Sequence, residues 1–201
     1  MSSELPPGWI DTTIGEIALI ATGKTPPTSK SEFFDGEIPF IKPPDLDGQF
    51  PLLSTKDTVT LAGANCATLL PEGSIAVSCI GNLGKVALVG VPAITNQQIN
   101  SILPSAAACS SFLYYWVKTI KPWLERNASA TTVAIINKTR FSQAPLSLPP
   151  LNEQRRIVAR IEELTARSKS AKEALQAIPP LLEKFRQSVL AAAFRGDLTA
   201  E

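Results

Sequence analysis

"LNEQRRIVARIEELTARSKSAKEALQAIPPLLEKFRQSVLAAAFR", Leu151 to Arg195, carries apolar or small residues at Ile157, Ile161, Leu164, Ser168, Ala171, Leu175, Ile178, Leu182, Phe185, Val189 and Ala192. They fall in alternating steps of four and three. A period of about 3.5 marks a coiled-coil seam, narrower than the stripe of a core-facing helix, and a seam needs a partner. Asn152 is the expected N-cap after a Pro-Pro-Leu lead-in, and Glu153 puts negative charge in the first turn. At the far end Arg195 is a cation in the last turn and Gly196 supplies the left-handed exit. Roughly 45 residues at about 1.5 Å each make a rod on the order of 65 Å long.

Pro179 and Pro180 oppose this reading, since an interior proline removes a donor and costs ~3 kcal/mol. The seam nevertheless passes through them in register. The expectation is one helix over 151–196, kinked at 179–180, with two collinear helices as the fallback and a hairpin as the alternative. Residues 1–150 are enough for a closed globular domain, and 197–201 form a tail.

Composition narrows the function classes. Hydrophobic residues make up 44% and charged residues 18%, as in a folded soluble protein. No signal peptide or spanning segment is visible, and "SFLYYWV" is too short to cross a bilayer; the expectation is a cytoplasmic protein with no membrane partner. Cys66, Cys79 and Cys109 have neither zinc nor thioredoxin spacing and read as buried free thiols, so no metal ligand set is expected. Histidine is absent. That excludes hydrolases of the Ser-His-Asp and Cys-His types. Residues 1–150 hold ten Lys and Arg against eleven Asp and Glu, and the remainder nine against seven. A nucleic-acid binder usually carries excess positive charge; here its cations must share one face, or a partner must supply the rest of the grip.

Upstream of the rod, Trp9 is the expected core anchor after a Pro-Pro-Gly turn, and Ile14, Ile17, Leu19 and Ile20 read as a short helix or strand. "TGKTPPTSK" (22–30) is a loop, and "IPFIKPPDLDG" (38–48) a strand stopped by prolines. "EGSIAVSCIGNLGKVALVG" (72–90) is the clearest hairpin, turning at Gly81-Asn82-Leu83-Gly84. "AITNQQINSILP" (93–104) reads as one strand with a polar interruption, and 110–127 as a helix mostly in the core. A polar loop, a turn at Asn137-Lys138 and a last strand lead into the rod. With no β-α-β alternation the class is α+β: a mixed-sheet domain followed by a long coiled-coil-type helix.

Catalytic motifs fail where they are tested. Gly23-Lys24-Thr25 ends like a phosphate loop, but Ala18 stands where its first glycine belongs and prolines follow where a helix must start. "KPPD" (42–45) resembles, reversed, the amino-gripping site of adenine methyltransferases without its aromatic or a cofactor fingerprint. Asp45 with Asp47 is a third-ranked carboxylate site in a turn.

The two ends of the rod, "LPPLNEQRRIVARIEEL" and "LLEKFRQSVLAAAFRGDLT", resemble the conserved spacer of the specificity subunit of type I restriction-modification enzymes. "LPPGW", "TGKTPPT", "IPFIKPPDL", "PEGSIAVSCIGNLGKVAL" and "NKTRFSQAPLSLPP" resemble, in order, its target recognition domain. The resemblance implies a non-catalytic chain without cofactors of its own. It binds double-stranded DNA and docks methylation subunits, which hold S-adenosylmethionine, and the restriction subunit. Such families have two recognition domains and two spacer helices paired antiparallel. One of each is visible here, so the chain is expected to be a half-length subunit or a fragment, its helix pairing with a second copy or a second half.

For this role the candidate DNA contacts are donors and acceptors on loops. They are Lys24, Thr25, Thr28, Ser29 and Lys30 in the first loop, Asn82 and Lys85 in the hairpin turn, and Thr131, Thr132, Asn137 and Lys138 before the last strand. Asn96, Gln97 and Gln98 read adenine edges or form a polar bulge within the sheet. Arg155, Arg156, Arg160, Arg167, Lys169 and Lys172 on the rod meet phosphates or are a solvated face, and Leu190 with Phe194, off the seam, are a docking pair. The rival reading is a protein-interaction adaptor dimerised by the rod, without DNA.

Overall fold

A computed structural model describes residues 5–129 and 132–198; the candidate Thr131 lies outside them. Compact units run Met1–Val158 and Ala159–Glu201. No helix among the described residues is long and apolar enough to cross a membrane.

The first unit is built on nine strands, β1 (Ile10–Thr13), β2 (Ile20–Thr22), β3 (Phe34–Ile41), β4 (Thr58–Val59), β5 (Ile75–Ser78), β6 (Val86–Leu88), β7 (Ile94–Thr95), β8 (Ile99–Ile102) and β9 (Pro145–Leu148). They form three sheets, ordered β1-β9, β2-β8-β5-β6 and β4-β3-β7. All pairs are antiparallel except β3 with β7. The expected hairpin is present as β5 and β6, with Ile75 opposite Leu88 and Val77 opposite Val86.

Every residue of β5 and β8 is buried, because both faces of the central sheet are covered. Ile75, Val77 and Cys79 face the larger core. There they meet α3 (Ser110–Val117), α4 (Lys121–Asn127) and α5 (Lys138–Ser142) through Leu113, Val117, Leu124 and Phe141. Ala76 faces a smaller core with Ile41, Leu46 and Leu52. Two short helices, α1 (Ile14–Ile17) and α2 (Leu61–Ala64), complete the unit. The last helix, α6, runs Leu151–Phe194.

Several expectations change. The stretch 93–104 is two strands in different sheets, and Asn96 to Gln98 form the turn between them. Residues 110–127 break at Lys118–Ile120 into α3 and α4, with Pro122 in the first turn of α4, where its missing N–H is no loss. The Asn137-Lys138 turn is a helix start: the Asn137 side chain accepts from the Arg140 N–H at 2.8 Å. Trp9 is only half-buried. All three cysteines are free, but only Cys79 is buried. Asn152 is not the N-cap of α6, which starts one residue earlier; the Pro150 carbonyl accepts from Glu153 and Gln154 at 2.8 and 3.0 Å. The helix continues through Pro179 and Pro180 without interruption, which excludes the hairpin. At its end Gly196 has φ +79, and Gly196 and Asp197 donate to Ala193 and Ala192, closing the helix with a Schellman motif.

Candidate nucleic-acid interface

The first loop is held against the turn between β7 and β8 by its backbone. The Gly23 N–H donates to Ile99 O at 3.0 Å and the Lys24 N–H to Thr95 O at 2.9 Å. A Cβ on Gly23 would lie 2.1 Å from Asn96 O and 2.2 Å from Thr95 Oγ1, so only glycine allows this approach. Side chains reinforce it. Thr25 donates to Gln97 Oε1 at 2.7 Å, and Thr22 to Asn100 Oδ1 at 2.7 Å. Asn100, buried, passes its own amide proton to Ile136 O at 3.3 Å.

The β5–β6 turn anchors the segment before α5. Ile136 N–H donates to Cys79 O at 2.8 Å, Gly81 N–H to Ala134 O at 2.9 Å, and Ser129 N–H to Ile135 O at 3.0 Å. The result is a cleft of about 250 Å³ lined by Thr22, Cys79, Gln97, Asn100, Asn137 and Lys138, among others. Three stretches that are far apart in the chain therefore converge on it.

Burial pushes the Cys79 thiol up to about 11, against the opposing pull of a hydrogen bond from Asn100. Because the unfolded chain loses this proton near 9 and the folded chain keeps it, stability from this group is intact below pH 9 and falls as pH rises toward 11. Denaturant midpoints across that range should fall in the native protein and fall less in Cys79→Ala.

The candidate contacts divide into three groups. Thr25, Gln97, Asn137 and Lys138 come together at the cleft, with Lys24 on the adjoining loop. Asn96 and Gln98 are consumed in their own turn, where Asn96 Oδ1 accepts from Gln98 N–H at 3.1 Å and its amide donates to Gln98 Oε1 at 3.0 Å. Thr28, Ser29 and Lys30 do not reach the cleft; Lys30 Nζ lies 5.0 Å over the Phe33 ring. Asn82 and Lys85 sit on the anchoring turn, where the Asn82 carbonyl and Lys85 N–H both bond the Ser78 hydroxyl, at 2.6 and 2.9 Å. Thr132 is exposed.

Two residues were missed. Asn100 ties the first loop to the 136 segment, and no local pattern announces it. Arg140, in α5, lines a hollow with Asn127, Ser129 and Asn137. The Asn-Lys-Thr-Arg start of α5 was its signal. Among the described residues of the first unit, Lys24, Lys30, Lys56, Lys85, Lys118, Arg126, Lys138 and Arg140 have no carboxylate partner, whereas Lys42 and Lys121 pair with Asp57 and Glu125. Asp45 and Asp47 do not form a joint site, since each carboxylate accepts a backbone N–H, from Lys42 at 2.7 Å and Val86 at 3.0 Å.

Residues 6–179 match the family described as type I restriction modification DNA specificity domain. The chain belongs to that family. Within it, the chain is 36% identical over 150 residues to the HindI specificity subunit of Haemophilus influenzae, covering 72% of this chain and 33% of that one. The specificity-family architecture also recurs in solved structures. The HsdS subunit from Thermoanaerobacter tengcongensis matches with TM-score 0.75 and 25% identity over 98% of this chain and 47% of its own. A chain solved in work on complex assembly and conformational transition of the type I R-M system matches with TM-score 0.76 and 25% identity over 98% and 48%. The chain thus spans between a third and a half of these relatives, and the mixed sheets and long helix place it in the α+β class with them.

Proposed function

We propose that this chain is a DNA-reading unit of a type I restriction-modification enzyme, that it recognises one half of a two-part site, and that it performs no chemistry itself. Residues 1–150 are the recognition domain, and 151–196 are a spacer that pairs with the helix of a second recognition unit. Methylation subunits and the restriction subunit dock on this assembly. The supporting observation is the cleft itself, which has no carboxylate in its lining, with Lys138 on its wall and Lys24 on the adjoining loop. Lys138 opens α5, and Arg140 follows two residues on in the same short helix. Phosphate contact by Lys24, Lys138 and Arg140 positions the duplex, and Gln97 and Asn137 reach base edges.

The double variant Lys24→Ala, Lys138→Ala, assembled with its methylation subunits, should bind target DNA about tenfold more weakly at low salt. The slope of log affinity against log salt should fall by about two, one for each lost phosphate contact. Unchanged affinity and slope would move the DNA face elsewhere and favour the adaptor reading.

A further inference from the structure

Side-chain amides of Gln97, Asn100 and Asn137 line the cleft between the first loop and the start of α5. Each has its oxygen engaged within the protein. Gln97 Oε1 accepts from the Thr25 hydroxyl at 2.7 Å, Asn100 Oδ1 from the Thr22 hydroxyl at 2.7 Å, and Asn137 Oδ1 from the Arg140 N–H at 2.8 Å. Their amino groups differ. Asn100, buried, spends its own on Ile136 O at 3.3 Å, whereas Gln97 and Asn137 are exposed and no described residue accepts from either amino group. Oxygen and nitrogen diverge from the same carbon, so an oxygen held inward turns its amino group out. For Asn137 that direction is fixed, because the N–H it caps can only donate. Backbone acceptors nearby are also taken, Cys79 O by the Ile136 N–H and Ile135 O by the Ser129 N–H. With Lys138 on the same wall, the cleft turns donors outward, and among the described residues it has no side-chain amide or carboxylate oxygen without an internal partner.

Resting on the reading of this cleft as a DNA interface, we infer that Gln97 and Asn137 are specificity-determining residues that select guanine in the half-site. An amide that reads adenine does so bidentately, its oxygen accepting from N6 and its nitrogen donating to N7. Both amides here have given the oxygen half of that pair to Thr25 and to the α5 backbone. The donor half remains. Guanine is the base whose major-groove edge presents two adjacent acceptors, N7 and O6; adenine and thymine present one each, beside a donor or a methyl group, and cytosine presents a donor alone. Two outward amino groups and a lysine on one wall therefore match guanine, and they would leave the N6 amino group of adenine facing donors. For Gln97 this replaces the adenine-edge expectation. A phosphate would take the same donors without regard to sequence, which separates it from a base in the measurement.

The test uses the full chain assembled with its methylation subunits and, as probe, a pool of duplexes with randomised positions, from which bound sequences are selected and counted. Gln97→Glu and Asn137→Asp keep the bonds to Thr25 and Arg140 and exchange only the outward amino group for an oxygen. The unmodified assembly should select guanine over adenine by at least about tenfold at the positions these residues read. Each acidic variant should replace one such guanine by cytosine, whose N4 amino group a carboxylate accepts. Thr25→Val, which frees the Gln97 oxygen, should bring the preference for guanine over adenine at that position down to about threefold or less. In Gln97→Ala the salt slope should not change, because no phosphate contact is lost. An adenine–thymine pair at the position that either acidic variant alters, or a selected sequence that neither variant alters, overturns the guanine assignment and leaves DNA reading standing. A salt slope lowered by about one in Gln97→Ala, with the selected sequence unchanged, assigns its amino group to a phosphate and overturns it too. An assembly that selects no sequence, and whose affinity the Lys24, Lys138 double variant does not move, overturns DNA reading itself.

Discussion

Leu175→Asp combined with Leu182→Asp is expected to abolish the proposed pairing through α6 and leave the chain monomeric. In a symmetric pair the two substitutions alter four layers. Each buried leucine contributes about 1.5–3 kcal/mol, and each new carboxylate would have to be desolvated against apolar neighbours. The combined loss exceeds about 6 kcal/mol, or more than about 10⁴ in dissociation constant. Light scattering reads the mass, and the thermal transition of the residues 1–158 unit should not move. A variant that stays dimeric would show that the interface lies off the seam, with the exposed Leu190 and Phe194 the next residues to test.

Gln154→Ala should give a large loss of stability in the recognition unit. Gln154 is fully buried in the first turn of α6. Its Oε1 accepts from the Cys109 N–H at 2.8 Å, and its amide donates to Pro149 O at 2.9 Å and Ala107 O at 3.2 Å. The side chain thus joins the start of α6 to the loop before α3. Truncation strands a donor and two acceptors, at roughly 2–4 kcal/mol in all, which for a unit of this size lowers the melting temperature by about 5–15 °C. Gln154→Glu should be worse still, because it keeps the acceptor, loses the donor and buries a charge. A melt unchanged in Gln154→Ala would mean that water replaces all three bonds. Dimer mass should be preserved in both variants, which separates this effect from that of the seam.

Parts of the site were readable because their chemistry is local. A run such as Thr22-Gly23-Lys24-Thr25-Pro26-Pro27 is a loop whatever surrounds it, since its glycine and prolines restrict the backbone there. What the loop touches is not local. Thr25 and Gln97 are 72 residues apart, and Thr22 and Asn100 are 78 apart, yet each pair shares a proton. Once Asn96 spends its amide N–H and its Oδ1 on Gln98, Gln97 is the exposed one of the three. Asn100 looks in sequence like one polar residue in an apolar strand. It becomes a junction because β8 lies between β2 and β5 and its side chain emerges at the 136 segment.

By itself the sequence determined the long C-terminal helix, the seam along it, the β5–β6 hairpin, the α+β class and the family, because each rests on a period, a turn or a motif within a few dozen residues. The division of 93–104 between two sheets and the buried role of Gln154 were decided only in the tertiary structure. So was the sorting of candidate contacts into those at the cleft and those spent on folding. The physical reason is the same in each case. A polar side chain's role depends on which distant backbone group is left without water, and burial assigns that group.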